Sequence, residues 1–197
     1  MTTSPSGERP VIQLPELNPP PAFAAVCPFI YRSGDPTSNP KSFAFLDMLH
    51  LKTMVLLSIE APAGKRGTHT HTPFLSPHEV NSFSVLESIV KDSLEILLDA
   101  RNYPALILDT AGIFETGTLV GCLRKMQGWN FASILVEYRS FAGSRARSAN
   151  ERFIEMFDTD LVTLPPEEYL PDWLLPTEKF YIDERELSES QSTTSSE

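Results

Sequence analysis

Asp109 and Glu115, with Gly112 between them and Gly117 after, carry the chemistry most open to reading in this chain. They lie in ALILDTAGIFETGTLVGCLRK, residues 105–125. An apolar run stops at an acid, a glycine-bearing loop follows, and a helix-like segment continues. Three phosphate chemistries share that outline. In the first, the Asp of an Asp-x-x-Gly turn orients Mg²⁺ through water beside a Gly-x-x-x-x-Gly-Lys-Ser/Thr loop. The only Gly-Lys pair is Gly64-Lys65, followed by Arg66, with no glycine five residues before Gly64. In the second, an Asp at a strand end forms an acyl phosphate, which needs another acid two residues on; position 111 is Ala. In the third, a strand, a loop and a helix N-terminus cradle phosphate on successive backbone amides while a thiolate attacks and an Arg closes from above.

The elements that must position this loop can be read on either side of it. FIYRSGDP predicts a short strand ending in a turn, NPKSFAFLDMLHLK a helix, and TMVLLSI a buried strand. VLESIVKDSLEILLDARN is the clearest helix, with Val85, Ile89, Leu94, Leu97 and Leu98 on one face and Asn102-Tyr103-Pro104 closing it. ALIL is then a short buried strand, TGTLVGCLRKMQGW a helix ending near Gly128, and FASILVEYRSFAGSRAR and SANERFIEMF two further amphipathic helices. Alternating strands and helices with all-apolar strands predict an α/β layer on a mainly parallel sheet. The segment EAPAGKRGTHTHTPFLSPHEVNSF fits no element and is long for a connection. Residues 1–22, rich in Pro, Ser and Thr, and the acidic stretch 183–197 are expected to be disordered, leaving a folded unit over 23–182.

Composition narrows the function. With 197 residues, 41% of them hydrophobic, the chain can bury one core, and a net charge of −10 opposes binding to nucleic acid or to an anionic membrane. No apolar run reaches the roughly 20 residues of a membrane span, and the N-terminus lacks the pattern of a secretory signal. Two cysteines, Cys27 and Cys122, suit a reduced, cytoplasmic setting; both read as packing residues. His69 and His71 in THTHT read as a solvated turn, so neither metal nor cofactor is expected.

IYRSGDP, LLDARNYPALIL, TGTLVGCLRKMQGW and EYRSFAGSRARSANERFIEMFD together resemble the plant and fungal atypical dual-specificity phosphatases, which include the fungal oxidant-induced cell-cycle arrest proteins. The resemblance covers residues 29–158 and implies the cysteine-phosphatase α/β fold, a central mainly parallel sheet flanked by helices. It also implies that the phosphate loop is Asp109, Thr110, Ala111, Gly112, Ile113, Phe114, Glu115, Thr116 and Gly117. Asp109 then stands at the nucleophilic Cys position, Leu108 at the preceding His, and Glu115 at the phosphate-binding Arg. An acceptor-only carboxylate replaces about five guanidinium donors, and two like charges beside a phosphate cost on the order of several kcal/mol at an effective dielectric near 20.

The expectation from these departures is a pseudophosphatase without catalytic residues, a binding or regulatory subunit in hetero-oligomers with other phosphatase-like family members; the alternatives are an active phosphatase on phosphoprotein or inositol pyrophosphate with a non-cysteine nucleophile, and a sensor that binds an anion without cleaving it. Lys125, Arg145 and Arg147 are candidate contacts for residual anions, in the manner of relatives that hold inositol pyrophosphates. Helix-face pairing of the chain's cations with Glu137, Glu151 and Glu155 is the plainer account. Trp173 and Leu174 in YLPDWLLPTEKFYI are candidate partner anchors, or else fold back on their own core.

Overall fold

The computed structural model describes residues 17–57, 70–71 and 83–174. A five-stranded sheet has the order β1-β2-β5-β3-β4, formed by β1 (Ala24–Cys27), β2 (Ile30–Ser33), β3 (Thr53–Leu56), β4 (Thr70–His71) and β5 (Ala105–Leu108). β1 pairs antiparallel with β2, and every other pairing is parallel. The helices are α1 (Pro40–Asp47), α2 (Phe83–Leu97), α3 (Glu115–Met126), α4 (Phe131–Ala142) and α5 (Ser148–Met156). This is the expected α/β architecture, a central sheet flanked by helices.

β5 lies between β2 and β3, so neither of its faces meets water, and all four residues of ALIL are buried. Alternation along the strand divides the molecule into two layers. Ala105 and Ile107 join Ile30 and Val55 under α2, α3, α4 and α5. Leu106 and Leu108 face the other way and pack with Leu46 of α1, beside Phe23, Tyr31 and Phe45. In α2, Val90, Leu94 and Leu97, with Leu98 just past its end, recur at helical spacing and are at most 2% exposed.

The loop 109–114 leaves the C-terminal end of β5 and enters α3, the central helix of its layer. Nine residues of α3 from Thr116 to Arg124 are buried. A Cβ at Gly117 would lie 2.9 Å from the Tyr138 ring, so only glycine admits α4 this closely.

Arg124 anchors the far end of α3. Its Nε donates to Glu137 Oε2 at 2.7 Å, and its Nη2 donates to Glu137 Oε1 and to the Val26 carbonyl, both at 2.8 Å. The arginine side chain is 8% exposed and the glutamate 21%. Arg124→Met would leave Glu137 half-buried without its cation and the Val26 carbonyl without its donor. The expected loss is about 2–3 kcal/mol in a denaturant melt, below the range for a fully buried pair because Glu137 reaches solvent. Arg124→Met/Glu137→Met should recover part of that loss, as the uncompensated charge is gone.

Two expected surface roles are corrected. Lys125 is not an anion contact at the loop: its Nζ donates to the carbonyls of Glu155 at 2.7 Å and Phe157 at 2.8 Å, capping the end of α5. Trp173 and Leu174 pack against the main core, the fold-back alternative, and Trp173 lines a groove of about 520 Å³ with Phe29, Tyr103 and Pro104. Of the segment that fitted no element, only β4 and the start of α2 lie within the described residues. His69, residues 1–16 of the N-terminal stretch expected to be disordered over 1–22, the expected tail 183–197, and the remainder of YLPDWLLPTEKFYI after Leu174 lie outside them; residues 17–22 are described, with the Pro20 and Pro21 carbonyls accepting from the Phe23 and Gly34 amides.

Candidate functional site

Asp109 is the first residue after β5 and is 2% exposed. The loop winds around its side chain. Asp109 Oδ1 accepts from the Ala111 amide at 2.7 Å and from the Gly112 amide, while Oδ2 accepts from the Thr116 amide at 2.9 Å. Three main-chain donors, one of them in the first turn of α3, thus converge on one carboxylate.

That convergence requires Gly112 to adopt φ +71°, and strand β2 closes in behind it. The turn after β2 also bonds to the loop: the Asp35 amide donates to the Thr110 carbonyl at 3.3 Å. Beneath the loop lies Arg32, 1% exposed, whose Nη2 donates to the Gly112 carbonyl at 2.8 Å and whose guanidinium stacks 3.7 Å from the Phe141 ring centroid. Its Nε and Nη1 find no hydrogen-bond partner among the described residues. Burial lowers its pKa to about 10, opposed by the carboxylates of Glu137 and Asp109, so it remains a cation at neutral pH.

Glu115 opens α3 beside Asp109. Burial foremost, then the Asp109 charge and a hydrogen bond to that carboxylate, raise its pKa above the usual carboxyl range, against the pull of its own amide and of Arg147. The repulsion expected between the two acids is thus present, acting together with burial to hold the Glu115 proton more tightly, while the Asp109 carboxylate is met by three amides above a buried guanidinium. A raised folded-state pKa means that the proton is held more tightly folded than unfolded. The resulting stabilisation is complete below about pH 4.5, the unfolded value, and is lost as pH rises through the folded value. Glu115→Gln removes that titration. Its melting temperature should therefore gain on the parent by a few degrees as pH rises from acid to neutral, as a thermal-melt series across pH would show.

The other expected site residues divide. Arg147 does reach the loop, with its guanidinium 3.6 Å from the Phe114 ring centroid, and the Asn150 amide donates to the Phe114 carbonyl at 3.2 Å. Ile113 is buried and Phe114 half-buried. Arg145 stands exposed in the turn after α4. Cys122 is fully buried in α3, with its thiol pushed far above the ordinary range by burial, and Cys27 at the end of β1 is raised to about 11, also by burial. Neither thiol is an available nucleophile. Among the described residues no group of three His, Cys, Asp or Glu side chains is placed to hold a metal.

Arg32 was the functional residue missed by sequence reasoning, although it stands inside the quoted IYRSGDP. A signal existed: strand parity puts Arg32 on the face of Ile30, and a cation on that face demands an acceptor or an anion.

The profile of the tyrosine phosphatase family matches residues 17–173, nearly all of the described chain. The chain belongs to the tyrosine phosphatase family. Among its relatives, the Dictyostelium discoideum protein named "Probable tyrosine-protein phosphatase DG1060" is 41% identical over 170 residues, covering 79% of this chain and 95% of the relative. The Arabidopsis thaliana inositol diphosphatase DSP4 is 37% identical over 147 residues, covering 71% and 73%. The catalytic core of Siw14 superposes with a TM-score of 0.66 at 34% identity, over 74% of this chain and 90% of that one. The citrate complex of that core, from the S. cerevisiae PP-IP phosphatase, gives 0.61. These neighbours confirm the cysteine-phosphatase fold. They also overturn the expectation of a non-enzymatic pseudophosphatase subunit, because relatives this similar are named as phosphatases, one of them an inositol diphosphatase. Asp109 is not a bare charge in the loop, since three main-chain amides already bond to its carboxylate.

Among the described residues no helix is long and apolar enough to cross a membrane.

Proposed function

We propose that this tyrosine phosphatase family member is an active phosphatase on substrates of the inositol pyrophosphate class, with the Asp109 carboxylate as a non-cysteine nucleophile. The single observation that carries the reading is the place of Asp109: at the end of β5, on three converging amides, next to Glu115 at the start of α3. The substrate class is supported by the names of DSP4 and of the Siw14 core.

A terminal phosphoryl group seated on the amides of Ala111, Gly112 and Thr116 meets an Asp109 oxygen once that side chain turns away from them. The oxygen attacks phosphorus, the bond from phosphorus to the bridging oxygen breaks, and the Glu115 proton passes to the departing oxygen. Water then cleaves the acyl phosphate at phosphorus. Asp109 returns to carboxylate, Glu115 regains a proton from that water, and inorganic phosphate leaves. The amides and the Arg147 guanidinium supply positive potential for the charge on the transferring group. A reduced, cytoplasmic compartment suits a chain whose two cysteines are both free.

The test is phosphate release from an inositol pyrophosphate by the full chain, with hydroxylamine added to capture an acyl phosphate as the hydroxamate of Asp109. Release with a hydroxamate at that residue is the expected result. Binding of the substrate without release would overturn the reading.

A further inference from the structure

We infer that Asp109 is a built-in occupant of the loop's anion site: its carboxylate takes the amides that a substrate phosphoryl group needs, so ligand binding is a displacement. The inference rests on the loop being the phosphoryl site proposed above, and deepens that reading by stating how the site is regulated.

The arrangement resembles captured oxyanion more than a simple turn. An Asp in an ordinary Asx turn accepts from amides two or three residues on and leaves its second oxygen to water. Here the second oxygen reaches seven residues ahead to the Thr116 amide in the first turn of α3, and the whole side chain is 2% exposed. Both ends of the carboxylate are therefore bridged, as the terminal oxygens of a phosphoryl group would be.

A second observation, independent of the amides, is the buried cation beside them. Arg32 sits below the loop, fully buried, tied to the Gly112 carbonyl, with Nε and Nη1 unpartnered. A buried cation with open donors is costly unless a negative charge stays close by. Glu137 and Asp109 both supply that charge, and a bound phosphoryl group would take over the share of Asp109 when Asp109 leaves. The same three amides cannot serve both at once.

The experiment compares inorganic phosphate binding to the full chain and to Asp109→Ala and Asp109→Asn by calorimetry, with melting temperature read in parallel. Removing the occupant should tighten phosphate binding at least tenfold in Asp109→Ala. It should also make that variant's melting temperature rise with phosphate far more than the parent's. Asp109→Asn removes the charge yet keeps an oxygen on the amides, so its gain should be clearly smaller. Phosphate binding to Asp109→Ala no tighter than to the parent would overturn the inference. So would equal gains in the Ala and Asn variants, which would mean that charge alone, and not occupancy, governs affinity. Asp109→Ser carries the same comparison if Asp109→Ala does not fold. Because binding is read here, and turnover in the test of the proposed function, failure of either is recognisable apart from the other.

Discussion

Asp109→Asn will lower phosphate release by about 10³-fold or more, the scale on which enzymes respond to loss of a covalent nucleophile, while Cys27→Ser and Cys122→Ala leave it within about twofold. The Asn side chain matches Asp109 in shape and its amide oxygen can still accept from Ala111 and Gly112, but its NH2 cannot accept from the Thr116 amide, so a thermal melt run alongside reads the cost of that lost bond separately from activity. What Asn lacks is the negative oxygen that must form a bond to phosphorus. The cysteine variants separate this account from one in which a thiol takes over. Cys122 is enclosed in α3 and Cys27 lies at the end of β1, and burial holds both as thiols. A fall in release on losing either sulfur, with Asp109→Asn unaffected, would move the chemistry away from the loop.

Gly112→Ala will destabilise the protein by about 4 kcal/mol, roughly a 10 °C fall in melting temperature for a chain of this size. Two costs combine. The residue holds φ +71°, where an L side chain is strained, and its Cβ would lie 2.4 Å from the Gly34 nitrogen, 2.6 Å from the Ser33 carbonyl carbon and 2.9 Å from its oxygen. All three atoms are backbone, so no rotamer change relieves the overlap. Gly128 provides the control. It has φ +75° with nothing within 4 Å of the same methyl, so Gly128→Ala carries strain without collision and should cost about 1 kcal/mol. Equal losses in the two variants would show that the contact with β2 is looser than described.

Much of the fold could be read from residue order because local pattern and tertiary role agree. ALIL is apolar throughout and is the central strand; the face of α2 from Val90 to Leu97 is both periodic and buried. The short AAVC of β1 and the two residues of β4 were invisible, since neither is long enough to show a period and both owe their conformation to the strand beside them. The site was legible as to place and misread as to charge. Which residues form the loop follows from the strand–loop–helix outline, but the protonation of Glu115 depends on burial and on Asp109, and the convergence of three amides depends on a glycine that only β2 explains. Arg32 was overlooked because a strand motif drew attention to its turn, and Lys125 was misassigned because the carbonyls that hold it belong to a helix about 30 residues on.

The main-chain link between loop and strand has one more outcome. Gly34 touches Gly112, Asp35 bonds to Thr110 and also caps the short turn Pro36–Ser38, and Asn39 then caps α1 on the opposite side of the sheet. Two of the links are short side chains, the Asp35 carboxylate accepting from the Thr37 amide and the Asn39 amide oxygen accepting from the Lys41 amide. The start of α1, on the reverse side of the sheet, is thus tied to the loop by a continuous run of short bonds, and the position of one fixes the position of the other.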